Sequence, residues 1–177
     1  VNACVGDDRV VVADEPGTTR DSVAVPMAFR AQSLVLLDTA GVRRKAKVRD
    51  SLEKFSVAKT LQAVAEADVA VLVIEACEGL TEQDATIAGL ICDQGRAMCL
   101  VINKMDSPNG GRRDDLERQI SRILPFLPPH RTRFISAQRR QGIKRILADA
   151  LEAVESAGRS LSTAKINKTL NEAIDRH

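Results

Sequence analysis

Apolar positions along the chain fall into two alternating patterns. Residues 33–38 (Ser-Leu-Val-Leu-Leu-Asp), 68–74 and 97–102 are short, nearly continuous apolar runs, each ending at polar residues. That is the pattern of strands buried on both faces of a parallel sheet. Residues 51–67 and 81–94 instead repeat apolar side chains every three or four positions with charges between them, the period of amphipathic helices. A third helical stretch, 112–124, is broken by the proline-containing segment 125–130. A short strand over 131–135 and a helix over 143–157 follow.

Strand and helix therefore alternate, which predicts an α/β fold with helices covering both faces of a largely parallel sheet. Such sheets place ligands at the carboxyl ends of their strands, where the polar clusters after Leu37, Ile102 and Ile135 fall. Gly158 is a helix stop, and Ser160-Leu-Ser-Thr163 reads as a linker leading to a new N-cap before a last helix over 164–176. The expected organisation is one domain over 1–158, then over 159–177 a linker and the first helix of a second domain.

Composition narrows the function classes. Aromatic residues make up 2% of the 177 residues, four Phe with no Trp or Tyr, so a surface that stacks nucleic-acid bases on rings has almost no material. The net charge of +2 calls for no polyanion partner by itself. Four cysteines without a C-x-x-C pair, and the lack of a 20-residue apolar run, fit a reduced, cytoplasmic protein. A first residue of Val rather than Met suggests a fragment of a longer product.

Four short motifs carry chemistry. In Asp38-Thr-Ala-Gly41, directly after an apolar run, the acid can hold a water of a Mg²⁺ shell and Gly41 lets a backbone N–H approach a terminal phosphate. A simple strand-to-loop turn fits the same tetrapeptide. In Asn103-Lys104-Met105-Asp106, the Asp106 carboxylate can accept from the N1–H and exocyclic amine of guanine, a donor pair adenine lacks. Lys104 can lay its stem against the rings and Asn103 can tie the loop to neighbouring backbone; a polar Asn-x-x-Asp turn is the alternative. Ser136-Ala137, at the end of the next strand, offers a backbone N–H to the guanine carbonyl oxygen. Pro16-Gly-Thr-Thr-Arg-Asp21 is a polar loop in which one threonine hydroxyl can ligate Mg²⁺, or which is an ordinary surface turn.

With these motifs in this order, the chain resembles the translation-factor-like GTPases, and specifically the second GTPase domain of the Der/EngA family of bacterial tandem GTPases. The resemblance extends to Asp38-Thr-Ala-Gly-Val-Arg-Arg-Lys-Ala-Lys-Val48, Glu53-Lys-Phe-Ser56, Thr81-Glu-Gln-Asp84 and Leu124-Pro-Phe-Leu127, and covers residues 1–157. Residues 161–167 look like the entry to the family's C-terminal KH-like domain. The resemblance implies a three-layer P-loop NTPase fold, GTP and GDP as ligands, Mg²⁺ with K⁺ often assisting, and GTP hydrolysis coupled to assembly of the large ribosomal subunit. Partners would be that subunit's rRNA, the first GTPase domain and the KH-like domain. It assigns Thr19 to Mg²⁺, Asp38 to the metal's water shell, Gly41 to the γ-phosphate, and Asn103, Lys104, Asp106, Ser136 and Ala137 to guanine. Val42 stands where Ras-like enzymes place a water-orienting glutamine, so slow intrinsic turnover is expected.

Departures from the family pattern carry equal weight. No G-x-x-x-x-G-K-S/T occurs in the chain, although that loop cradles the β- and γ-phosphates. The expected fold therefore lacks its first, central strand and its phosphate loop, and the chain alone is expected to be catalytically incomplete. Glu75 replaces the family's usual Asp, and the loop at Gln138-Arg-Arg-Gln-Gly142 is more basic than usual. The basic run Arg43, Arg44, Lys45, Lys47 and Arg49 is either a solvated loop or an rRNA contact governed by nucleotide state. The alternative to a GTPase is a module that binds RNA or protein without nucleotide.

Overall fold

The computed structural model describes residues 1–6, 23–38, 61–158 and 162–176. The basic run 43–49 and the loop 16–21 lie outside them. In chain order the described elements are α1 (Asn2–Val5), β1 (Val23–Phe29), β2 (Gln32–Asp38), β3 (Val69–Glu75), α2 (Glu82–Asp93), β4 (Ala97–Asn103) and α3 (Arg113–Ile123). A 3₁₀ turn (Pro129–Arg131), β5 (Thr132–Phe134), α4 (Ile143–Ala157) and α5 (Thr163–Ile174) complete them. Residues 61–66, just ahead of β3, are helical.

The strands β3, β4 and β5 form a parallel sheet in that order, with Ile74 opposite Ile102 and Ile102 opposite Phe134. The central strand β4 is buried from Met98 to Ile102, as its uninterrupted apolar run predicts. One core forms where Ile74, Leu100, Ile102, Leu116 and Leu124 meet, all at most 2% exposed. Burying a side chain such as Leu100 stabilises the fold by about 1.5–3 kcal/mol. A smaller cluster joins Val101, Ile135, Ile143 and Ile146, with Ala3 and Cys4 of α1 packed against it. Helix α1 is thereby fastened beside α4.

Local sequence explains the helix ends. Thr81 opens α2 with a reciprocal cap: its backbone N–H and hydroxyl both donate to Asp84 Oδ2 at 2.8 Å, and Asp84 N donates back to Thr81 Oγ1 at 3.4 Å. Helix α3 buries Leu116 and Ile120 and leaves its charged face outside, where Arg113 pairs with Glu117 at 2.8 Å. Arg113 also lies over the Phe134 ring, 4.7 Å from its centroid. Helix α5 starts at Ser162, whose hydroxyl accepts from Lys165 N, and its residues are exposed, Ile166, Leu170 and Ile174 among them.

Two expectations need correction. The run 33–38 was expected in the parallel sheet, buried on both faces. It is the second strand of an antiparallel hairpin with β1, Phe29 opposite Gln32 and Val23 opposite Asp38, and its Val35 is 60% exposed. The joining residues Arg30 and Ala31 both have positive φ, 49° and 61°, as a two-residue hairpin turn of this hand requires. Without Asn or Gly there, the turn leaves no mark in the sequence. Strand β3 is also not covered on both faces among the described residues: Ile74 is fully buried, while Val71 and Val73 are 39% and 53% exposed.

Candidate functional site

The loops that leave β4 and β5 are closed against each other by backbone bonds. Ile135 N donates to Ile102 O at 2.8 Å, continuing the sheet one residue past β5, and Met105 N donates back to Ile135 O at 3.1 Å. A side chain makes the next link, as Ala137 N donates to Asn103 Oδ1 at 2.9 Å. Asn103 O in turn accepts from Ala76 N at 2.8 Å, which fixes the end of β3 to the same place. Lys104 adopts the left-handed conformation, φ 62°, a strained position for a residue with a Cβ. It turns the chain out of β4, and Ser107 N closes the following turn on Lys104 O at 3.0 Å.

Within this frame Asp106 keeps only 14% of its side chain exposed. The Ser136 side chain is the largest influence holding its pKa below the usual aspartate value. Burial opposes that shift, while the Asp106 backbone N–H and the nearby Arg139 guanidinium add to it. Ser136 is itself 2% exposed and held by a backbone bridge to Gln141, at 3.3 and 2.9 Å. Its Oγ also accepts from Arg139 N at 3.1 Å. The outcome is a carboxylate acceptor, its charged form favoured, at the carboxyl ends of two parallel strands. Such a group suits a ligand edge with adjacent N–H donors.

Asn103, Lys104, Asp106, Ser136 and Ala137 are thus gathered in one place. The Ala137 N–H is engaged by Asn103 Oδ1 in this structure. Asp38 ends β2 with its backbone opposite Val23; Thr19 and Gly41 lie outside the described residues. Among the described residues no group of three or more His, Cys, Asp or Glu is placed to hold a metal. Sequence reasoning noted Glu75 and the basic loop as departures and gave them no role. Yet Glu75 Oε1 accepts from Lys104 Nζ at 2.8 Å, and Arg139 Nε lies 3.5 Å from Asp106 Oδ2. Both are contacts between residues far apart in sequence, which spacing does not reveal.

Sheet order and strand-end loops together define the P-loop GTPase fold. Solved structures agree: Era in complex with MgGDPNP and nucleotides 1506–1542 of 16S ribosomal RNA superimposes with a TM-score of 0.71 at 26% identity, over 86% of this chain and 50% of that one. A probable GTP-binding protein, engB, shares the fold at a TM-score of 0.64 and 15% identity, over 88% of this chain and 90% of that one. Residues 1–104 match the 50S ribosome-binding GTPase family, and the chain belongs to it. Curated relatives are the GTPase Der of Thiobacillus denitrificans and that of Halorhodospira halophila, each 46% identical over the whole chain. The chain spans 38% of the length of each. Among the described residues no helix is long and apolar enough to cross a membrane.

Proposed function

We propose that the chain is the guanine-recognising part of a cytoplasmic GTP hydrolase acting in assembly of the large ribosomal subunit, and that it corresponds to the second GTPase domain of a tandem GTPase. The observation that carries this reading is the Asp106 carboxylate, 14% exposed and placed by the paired loops after β4 and β5, with its pKa lowered chiefly by the Ser136 side chain. A carboxylate accepts from guanine N1–H and the 2-amine and offers nothing to the amine-bearing edge of adenine. The ribosomal role is supported by the family match and by the relatives' name, GTPase Der.

The remaining roles follow from the family resemblance. Thr19 and Asp38 would hold Mg²⁺, Gly41 would meet the terminal phosphate, and K⁺ would assist. When bound, the metal would neutralise phosphate charge as the bond to the leaving group breaks. The 177 residues contain no G-x-x-x-x-G-K-S/T, so hydrolysis is proposed to need a strand and phosphate loop from outside them. The exposed Val71 and Val73 of β3, alternate residues on one face of the sheet, support a further element packed over that face. Residues 159–177 are proposed as a linker and the first helix of a KH-like domain, and the chain's partners as the first GTPase domain, that domain and rRNA.

The test is base selectivity by the chain itself. Titrations of ¹⁵N-labelled protein with guanosine and with adenosine are expected to shift the amides of Met105, Asp106 and Ala137 for guanosine alone. Asp106→Asn, which exchanges one acceptor for a donor, is expected to favour xanthosine over guanosine. Equal shifts with the two purines, or unchanged selectivity in the Asn variant, would remove Asp106 as the base reader and favour a nucleotide-independent module.

A further inference from the structure

Glu75 and Lys104 stand at the ends of neighbouring parallel strands. Glu75 is the last residue of β3 and lies opposite Asn103, so Lys104 is the first residue past that pair. The strand ends are joined by the bond from Ala76 N to Asn103 O at 2.8 Å. Across the same joint Lys104 Nζ donates to Glu75 Oε1 at 2.8 Å, within the range of about 2.7–2.9 Å of a charge-assisted bond.

The two partners differ in how they are held. The Glu75 carbonyl accepts from Glu78 N and Gly79 N, both at 3.1 Å, so a tight turn fixes the backbone that carries the acid. Its side chain is 29% exposed, against 49% for Lys104. A lysine side chain is a flexible four-carbon stem that, unpaired, spreads over many rotamers. In Lys104 both ends of that stem are set. The left-handed backbone at φ 62°, closed by Ser107 N on Lys104 O, sets the Cα end, and Glu75 sets the ammonium. A stem that rests against purine rings is then ordered before the ligand arrives, and the cost of ordering it is not taken from binding.

We propose that Glu75 is a positioning residue of the purine site: it holds the Lys104 ammonium at the end of β3 so that the Lys104 stem is set in place to receive the rings. Glu75 touches no ligand and acts through Lys104. This rests on the reading of Lys104 and Asp106 as purine contacts. A stem against the ring face is blind to the 2-amine, whereas a carboxylate at the ring edge reads it. Loss of Glu75 therefore lowers affinity for purines sharing the N1–H edge by one common factor and leaves the choice among them to Asp106.

The experiment uses the 177-residue chain with guanosine and inosine, which differ only in the 2-amine. Affinities come from NMR titration of wild type, Glu75→Gln, Glu75→Asp, Lys104→Met and the Glu75→Gln/Lys104→Met double variant, each checked for folding by urea unfolding. Breaking an exposed ion pair changes an equilibrium by about twofold to fivefold. Glu75→Gln is expected to weaken guanosine and inosine equally by that factor, with Glu75→Asp closer to wild type because it keeps the charge. Methionine keeps an apolar stem without an ammonium, so the double variant is expected to bind as Lys104→Met does. Relaxation of the ¹³C-labelled Lys104 methylenes should show added motion in Glu75→Gln.

Unchanged affinities in Glu75→Gln, or Lys104 methylenes no more mobile than in wild type, would overturn the proposal. A full further loss in the double variant would do the same, since Glu75 would then act independently of the ammonium. A loss confined to guanosine would place Glu75 on the base edge and reject the positioning role. Asp106→Ala separates the two readings: if it erases the preference for guanosine over adenosine while Glu75→Gln changes nothing, base reading stands and only Glu75 falls. If Asp106→Ala keeps that preference, the base-reading assignment fails and the proposal falls with it.

Discussion

Replacing Gly142 with alanine tests how the Ser136 loop is held. Gly142 is the N-cap of α4 at φ 84°, ψ −9°, and a Cβ added there would meet Ile135 Cγ2 at 2.6 Å and Ile135 Cβ at 3.3 Å. Two costs add. The left-handed conformation costs a residue with a Cβ about 1–2 kcal/mol. Ile135 is 5% exposed and packed among Val101, Ile143 and Ile146, so it has little room to withdraw, and overpacking of this kind costs about 1–3 kcal/mol. Together they predict a loss of about 2–5 kcal/mol. Gly95→Ala is the control, since Gly95 has φ 66° and nothing within 4 Å of its added Cβ, leaving only the conformational cost.

Urea unfolding of both variants, followed by circular dichroism with the slope checked for constancy, gives the two differences. Gly142→Ala is expected to lose at least about 1 kcal/mol more than Gly95→Ala. Because Ile135 O accepts Met105 N and Ser136 follows Ile135, the same clash should weaken guanosine binding. If the two variants lose equal stability, Ile135 is not wedged against Gly142 and the tight closure of this loop is refuted.

Three further outcomes follow from charges and caps. Asp106 has its pKa lowered chiefly by Ser136, so its ionised form, and guanosine binding with it, should persist as pH falls below the ordinary aspartate range and disappear only on crossing the lowered folded value; Ser136→Ala should move that loss to higher pH in an NMR titration. Asp84→Ala removes an acceptor, 1% exposed, that takes both Thr81 donors, and should cost about 1–3 kcal/mol in urea unfolding. Asp149, 3% exposed on α4, meets Arg133 Nε at 2.5 Å and Arg145 Nε at 3.3 Å. Asp149→Ala strands the largely covered Arg133 and should cost about 3 kcal/mol, whereas Arg145→Ala, at an exposed partner, should cost under about 1 kcal/mol.

Strands β3, β4 and β5, the helices between them and the two base loops were legible because each rests on a local signal: an apolar run, a 3.6-residue period, or a motif placed directly after a strand. The β1–β2 hairpin was not, since Pro26 interrupts the strand pattern of β1 and the turn at Arg30 and Ala31 takes positive φ without the residues that usually announce it. The exposure of Val71 and Val73 was equally hidden, because a continuous apolar run does not say which of its faces is covered. Within the site, the residues that give Asp106 and Lys104 their electrostatic setting come from elsewhere in the chain, Arg139 from the loop after β5 and Glu75 from the end of β3. Their roles depend on a folded proximity that no spacing rule encodes.

That division bears on how the site can vary. The bonds joining the two loops, Ile135 N to Ile102 O and Met105 N to Ile135 O, are backbone bonds that survive changes of side chain. They place Asp106 and Ser136 whatever surrounds them. Asn103 is the exception, because its side chain rather than its backbone holds Ala137 N. Loss of that amide would free the N–H of Ala137, a residue the family resemblance assigns to guanine, while loosening the loop that presents it. The geometry thus sets preorganisation against availability at Ala137, whereas at Asp106 the neighbouring Arg139 side chain is 63% exposed and makes none of the backbone bonds of the frame. A change of the Arg139 side chain therefore alters one exposed ion pair and none of the backbone bonds that build the site.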